Sequence, residues 1–374
     1  MRNILLNEIL PFWMKNSIDY EYGGIITTVD REGKIFDYEK NVWFLGRTMY
    51  TYSVVYNTIE KNEEYLKIAK HMYDFMPKCE YSENRLPFIV NREGKPIVKG
   101  DAYYSETFAA IGLAEYYIAT GDKSAWEKAT RYFDLAYSLY DKELSLTPDI
   151  DGARPTTKAL GPSMIMLNVC QIMRKVEREK YHNIAKRCAD EIISHLTPMG
   201  LLENVGMNGE FIDSAFGREI NPGHSLEAAW FLLAEAIYRN DDYMKAKAKE
   251  IIDISWKIGY RDGAIIAFAD CLGNPSLYLE WDMKIMWPQC EALIALRLAY
   301  SVFKEEKYLE NYNALREYVF SHYPDKEYGE WYYVLHSDGT VANTLKGNFS
   351  KGPYHLPRML ILLDRLEGGE DILI

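Results

Sequence analysis

Asn221-Pro-Gly-His-Ser-Leu-Glu-Ala-Ala-Trp230, together with the later turn Asn240-Asp-Asp-Tyr243, shows the repeating unit of this chain. Asn-Pro-Gly interrupts whatever structure precedes it. Apolar residues then recur at Leu226, Ala229, Trp230, Leu233, Ala236 and Ile237, the three- and four-residue steps of a helix. The polar turn ends that helix, and Tyr243 opens a second one. There, Lys245-Ala-Lys-Ala-Lys-Glu-Ile-Ile252 alternates charged and apolar positions. The first helix is apolar on several faces and is expected inside. The second keeps one face for solvent and is expected outside.

The unit recurs. Turns at Glu60–Tyr65, Thr120–Trp126, Glu177–Tyr181, Asn240–Tyr243 and Lys304–Tyr308 space their aromatic residues by 61, 55, 62 and 65 positions. A period of that size signals stacked helical hairpins. The two ends supply a sixth. Tyr354–Leu366 reads as an inner helix with no partner after it, and Asn3–Asn16 as a helix with no partner before it. Pairing them closes a ring, so the expected fold is an all-α (α/α)6 toroid forming one domain over residues 1–374. Four β-hairpin signals, Gly24–Gly33, Phe88–Gly94, Leu202–Gly209 and Tyr332–Gly339, each lead from an outer helix to the next inner one. They are expected to crowd one rim.

The 374 residues carry a net charge of −12, from 55 acidic and 43 basic side chains. That balance argues against nucleic acid or an anionic membrane as the main partner. Five cysteines without a Cys-x-x-Cys pair fit a reducing cytoplasm rather than a disulfide framework. No stretch approaches the ~18 apolar residues of a membrane span. Thirty tyrosines and eight tryptophans suit both a helical core and a sugar-binding surface.

Chemistry concentrates where the inner helices begin. Arg47, Tyr104 with Glu106, His224 with Glu227, Trp287 with Glu291, and His355 with Arg358 open five of the six. Where an aromatic turn residue follows, it lies 17 to 22 positions on, so these groups share one height along the ring. Burying them is costly unless they are paired or used. Free N–H groups at the helix starts add partial positive charge there. The alternative is a hydrogen-bond network that merely plugs the barrel. His224 has Glu227 three residues on, a histidine–carboxylate pairing suited to acid–base work. The other five histidines, His71, His182, His195, His322 and His336, are expected at the surface. No metal-ligand spacing, phosphate loop or Gly-x-Ser-x-Gly elbow occurs, so no bound metal is expected.

Several stretches resemble the N-acylglucosamine 2-epimerase family, and more loosely the cellobiose 2-epimerases and aldose–ketose isomerases. They are Tyr22-Gly-Gly, Trp43 with Arg47, Tyr104-Ser-Glu-Thr-Phe, Gly217-Arg-Glu-Ile-Asn-Pro-Gly-His-Ser-Leu-Glu, Lys284-Ile-Met-Trp-Pro-Gln-Cys-Glu-Ala and Lys351-Gly-Pro-Tyr-His-Leu-Pro-Arg358. The resemblance implies the same barrel and two acid–base histidines at His224 and His355. It implies an oxyanion-stabilising or substrate-contacting arginine at Arg47, and functional Glu227, Glu291 and Arg358. It places Tyr104, Arg218 and Trp287 in the sugar pocket. Relatives acting on unmodified sugars often carry a further histidine early in the third inner helix. Here that segment reads Gly161-Pro-Ser-Met-Ile-Met166, which tilts the reading toward N-acyl-amino sugars. The expected reaction interconverts N-acetylglucosamine and N-acetylmannosamine, without a required cofactor. Homodimer formation and activation by a nucleotide such as ATP are implied by the resemblance alone. The rival readings are an epimerase or aldose–ketose isomerase acting on mannose, glucose or cellobiose, a glycoside hydrolase, and a non-catalytic binding protein.

Overall fold

Asx side chains in the polar turns fix where outer helices begin. Asn62, Asp122 and Asp241 each accept a hydrogen bond from a backbone N–H two or three positions on, which satisfies a donor that the first helical turn leaves unpaired. The computed structural model describes residues 1–82, 85–100, 103–146 and 156–372. The outer set begins with α1, which runs as Arg2–Ile4, a π turn Leu5–Ile9 and Leu10–Asn16. The first three inner–outer pairs are α2 (Trp43–Thr58) with α3 (Glu63–Phe75), α4 (Tyr104–Thr120) with α5 (Lys123–Leu144), and α6 (Leu160–Met173) with α7 (Arg178–Ser194). The next are α8 (Pro222–Arg239) with α9 (Asp242–Gly259), and α10 (Met286–Phe303) with α11 (Glu306–His322). The last inner helix is α12 (His355–Glu367).

Each inner helix packs on the next, from α2 through α4, α6, α8 and α10 to α12, and α12 returns to α2. The first helix lies against α12, where Arg2 meets Asp364 at 3.1 Å. The ends of the chain therefore close the ring, and the fold is the expected (α/α)6 barrel. The inner helices bury nearly every face; α8 is buried at almost every position from Pro222 to Ala236.

Short strands lead straight into inner helices. Lys40–Asn41 precedes α2, Thr157–Ala159 precedes α6, Glu219–Ile220 precedes α8, and Lys284–Ile285 precedes α10. The strands thus gather at the rim where the inner helices begin. Two of the four expected hairpins form: Ile89–Val90 with Pro96–Val98, and Val334–Leu335 with Val341–Asn343. The other two do not. Gly24–Gly33 makes only isolated bridges, Ile18 to Ile25, Val29 to Ile35 and Val29 to Gly347. Asn204–Gly206 pairs with Thr157–Ala159 instead of folding on itself. Alternating sequence marks strand character but cannot choose the partner, and here the nearer partner is the strand entering α6.

Two further expectations need correction. Tyr243, the aromatic residue that opens the outer helix α9, does not pack into the core as its counterparts Tyr65, Tyr181 and Tyr308 do. It is largely exposed, and Met244 beside it fills the core. His195 is fully buried rather than at the surface. It ends α7 beneath the Leu196–Thr197/Gly200–Leu201 hairpin, and its Nδ1 lies 3.0 Å from the Leu202 carbonyl. Burial lowers its pKa and disfavours the imidazolium.

Two inner helices meet backbone to backbone. Gly46 of α2 faces Gly112 and Phe108 of α4 so closely that a methyl on Gly46 would overlap the Phe108 carbonyl. Gly46→Ala should destabilise the chain by about 1–3 kcal/mol or more, the scale of overpacking. A denaturant melt checks this; an unchanged midpoint would show that α2 and α4 can separate freely.

Candidate active site

All six inner helices contribute to one cavity of about 470 Å³ at their N-terminal ends. Trp43 and Arg47 come from α2, Tyr104 and Phe108 from α4, and Gly161, Met164 and Ile165 from α6. The far wall is His224 and Glu227 of α8, Trp287 of α10 and His355 of α12. Rim residues Phe88, Tyr333, Phe349, Ser350 and Tyr354 complete it. Residues far apart in sequence meet here because each sits about one turn into its helix.

The two histidines flank Trp287, whose ring centroid lies 5.1 Å from that of His224 and 5.6 Å from that of His355. His355 Nδ1 donates to Glu291 at 2.7 Å. A carboxylate only accepts, so this bond leaves Nε2 as the nitrogen free for chemistry. His224 is held differently from expectation. Its Nδ1 donates to Glu203, with both carboxylate oxygens at 3.2 Å. Glu227 does not bond His224. It accepts instead from Arg358, which also pairs with Glu291 at 2.8 Å. Along the helix, the three-residue step brings Glu227 to the same side as His224, but the buried guanidinium across the ring is the stronger partner.

Charge settles differently on the two rings. At His355, burial is the largest influence and favours the neutral ring. The positive charges of Arg358 and Arg47 reinforce it, so its pKa falls well below 6.5. At His224, burial also opposes protonation, but the charge and hydrogen bond of Glu203 outweigh it, and Glu227 and Glu219 add to them. The His224 pKa rises above 6.5. Two imidazoles in one cavity thus have opposed protonation preferences, the pattern of an acid–base pair.

Arg47 is nearly buried and joins no ion pair among the described residues, and its Nε has no hydrogen-bond partner there. Its guanidinium is boxed by aromatic faces, 4.0 Å from the Phe108 centroid and 4.7 Å from that of Tyr354. Burial pushes its pKa down to about 10, which still leaves it charged at neutral pH. A buried cation without an anion, facing a cavity, is an anion-binding group awaiting a ligand.

The remaining expectations divide. Tyr104 and Trp287 line the cavity as expected. Arg218 does not; it ties the rim together through Asp270 at 2.8 Å and Asp213 at 2.6 Å. Glu106 faces away from the cavity and holds the preceding loop through Arg85 and the Leu86 N–H. Glu227, Glu291 and His355 lie close enough together to bind a metal ion. Arg358 already sits among them, so a divalent ion would have to displace a guanidinium. Sequence reading missed Glu203, which lies inside a strand-like run with no distinguishing spacing. It also passed over Tyr354, whose only signal is its place beside His355.

An (α/α)6 barrel with two carboxylate-bound histidines and an unpaired arginine in its mouth defines a class of sugar-converting barrels. The chain belongs to the N-acylglucosamine 2-epimerase family, whose model matches residues 23–357. It is 32% identical to the N-acylglucosamine 2-epimerase of Bos taurus over 96% of this chain and 89% of that protein. The Homo sapiens protein of the same name is 31% identical over 97% of this chain and 88% of its own length. The cellobiose 2-epimerase of Dictyoglomus turgidum is 25% identical over 96% and 95%. The fold matches the solved cellobiose 2-epimerase of Bacillus thermoamylovorans with a TM-score of 0.84 at 22% identity, over 98% of each chain.

The opposed shifts make a direct prediction. In NMR of ring-labelled histidine, His224 should stay protonated above pH 6.5, and His355 should stay neutral to well below it. Two rings titrating together near 6.5 would contradict the electrostatic picture.

Proposed function

We propose that the protein interconverts N-acetylglucosamine and N-acetylmannosamine by moving the proton at C2 of the open-chain sugar. The observation that carries this is the pair of imidazoles with opposed protonation, sharing one cavity with an unpaired buried guanidinium. Inverting C2 requires a base on one face and an acid on the other. Neutral His355 takes the C2 proton through Nε2. The electrons of the C–H bond become the C1=C2 bond of an enolate that keeps the acetamido group on C2, and O1 gains negative charge. Arg47 binds that oxygen, a role that buried preorganised cations serve well. Protonated His224 then returns a proton to the opposite face. The reverse reaction exchanges the two roles. The step is redox-neutral and therefore calls for no electron carrier.

Membership of a family whose curated relatives carry the N-acylglucosamine name supports the acyl-amino sugar. The α6 wall supports it too. Gly161, Met164 and Ile165 offer no ionisable group there, and an apolar surface accommodates an acyl methyl. The proposal includes a homodimer in the cytoplasm; the five unpaired cysteines, four of them buried, suit a reducing compartment. Among the described residues no helix is long and apolar enough to cross a membrane.

The test uses purified protein with N-acetylmannosamine, mannose and cellobiose in heavy water. Deuterium should enter C2 of the N-acetyl sugar, with no ketose formed. His224→Ala and His355→Ala should each lower the rate roughly 10²-fold or more. Arg47→Ala should cost about 10²–10³ in kcat, the worth of an oxyanion donor. Near-full activity in either histidine variant would reject the pair, and ketose in the products would favour the isomerase reading.

A further inference from the structure

We infer that Glu203 is the positioning residue for His224, doing from the rim what Glu291 does for His355 from inside the ring. This inference rests on the two-histidine reading above.

The geometry is specific. Both Glu203 oxygens lie 3.2 Å from His224 Nδ1, and no other carboxylate bonds that ring among the described residues. The Glu203 backbone is fixed on both sides. Its N–H donates to the Glu219 carbonyl at 3.0 Å, and its carbonyl accepts from the Leu160 N–H at 2.9 Å. The residue is thereby anchored between the entry to α6 and the entry to α8. Bound at Nδ1, the His224 ring must present Nε2 as its working nitrogen. At the other face, Trp287 limits its rotation.

A second acid stands behind the first. Burial and the charge of Glu203 raise the Glu219 carboxyl to about 7, while the Tyr278 hydroxyl donates to it at 3.1 Å. The charged and titratable groups around His224 are therefore Glu203 and Glu219 on the rim, Glu227 on its own helix, and His355 and Arg47 across the cavity. Glu227 is committed to Arg358. Glu203 alone makes the hydrogen bond that can choose the tautomer.

The two carboxylates serve different faces of C2, and that separates positioning from mere support of the fold. Without Glu203, His224 loses its orientation but His355 keeps its own. His355 can then still remove and return the C2 proton of one epimer, exchanging it with solvent without inverting the carbon.

The experiment starts from each pure epimer in heavy water and measures both inversion and C2 deuteration, for the wild-type chain, Glu203→Gln and Glu203→Asp. In Glu203→Gln, inversion should fall at least about 10-fold, and at most by the 10²–10⁴-fold worth of general acid–base catalysis. One epimer should still take up deuterium, and the other should lose that uptake. The alkaline limb of kcat/KM should move to lower pH, because the group that raises the His224 pKa has gone. Glu203→Asp, which keeps the charge, should recover part of both. Inversion within twofold of wild type with an unmoved alkaline limb would overturn the inference. So would equal loss of inversion and deuteration from both epimers in a variant with wild-type unfolding temperature. If the Gln variant does not fold, the Asp variant carries the same contrast: selective loss supports the inference, and equal loss overturns it. A wild-type chain that neither inverts nor deuterates the sugar rejects the two-histidine reading itself.

Discussion

The site depends on one buried cation, Arg358. Its guanidinium is 3% exposed and binds Glu227 of α8 and Glu291 of α10 from its own place on α12, while Tyr354 adds its hydroxyl at 3.1 Å. Removing one member of such a buried pair costs about 3–5 kcal/mol, because the partner is left as an uncompensated charge. The cation also adds to the burial that keeps His355 neutral, so two similar histidine–glutamate contacts have opposite outcomes. Glu291 holds His355 while Arg358 cancels its charge, so the ring is oriented without being protonated. Glu203 holds His224 and is paired with no arginine among the described residues, so orientation and protonation come together. In the proposed reaction, base and acid are one residue type, set apart by burial and the Arg358 and Arg47 charges at His355 and by the Glu203 carboxylate at His224.

The ring makes that difference usable. Six inner helices start at one rim, and short strands deliver the chain to four of those starts. Each functional side chain therefore sits within about one helical turn of the mouth, on a helix buried over most of its surface. Positions set by a packed scaffold of this kind are held more precisely than positions on loops. The aromatic box around Arg47 has the same logic. Phe108, Tyr354, Phe44 and Trp43 surround the cation with π faces, which stabilise it without neutralising it.

The fold was legible because helical periodicity and polar turns closed by an aromatic residue are local signals repeated along the chain. Ring closure followed from two helices that each lacked a neighbour. His224, His355, Arg47, Tyr104 and Trp287 were legible because inner-helix starts are core positions where such residues stand out. Pairing was not. Glu227 is spaced correctly for His224, yet Arg358, 131 residues on, claims it. Glu203 lies 21 residues before His224 in a segment whose alternation marks a strand and nothing more. Arg218 has the motif of a pocket residue, but Asp270 and Asp213 hold it at the rim. Helix faces can be counted from sequence; contacts between hairpins depend on which side chains compete across the ring.

The central claim is that two imidazoles address one carbon from opposite faces, with a guanidinium on the adjoining oxygen. A crystal structure with N-acetylglucosaminitol, the reduced open-chain sugar, tests it most directly. C2 should lie between His224 Nε2 and His355 Nε2, with O1 on Arg47 and the acyl group toward Met164 and Ile165. A sugar seated with C2 beyond reach of either ring, or with both rings on the same face, would contradict the account.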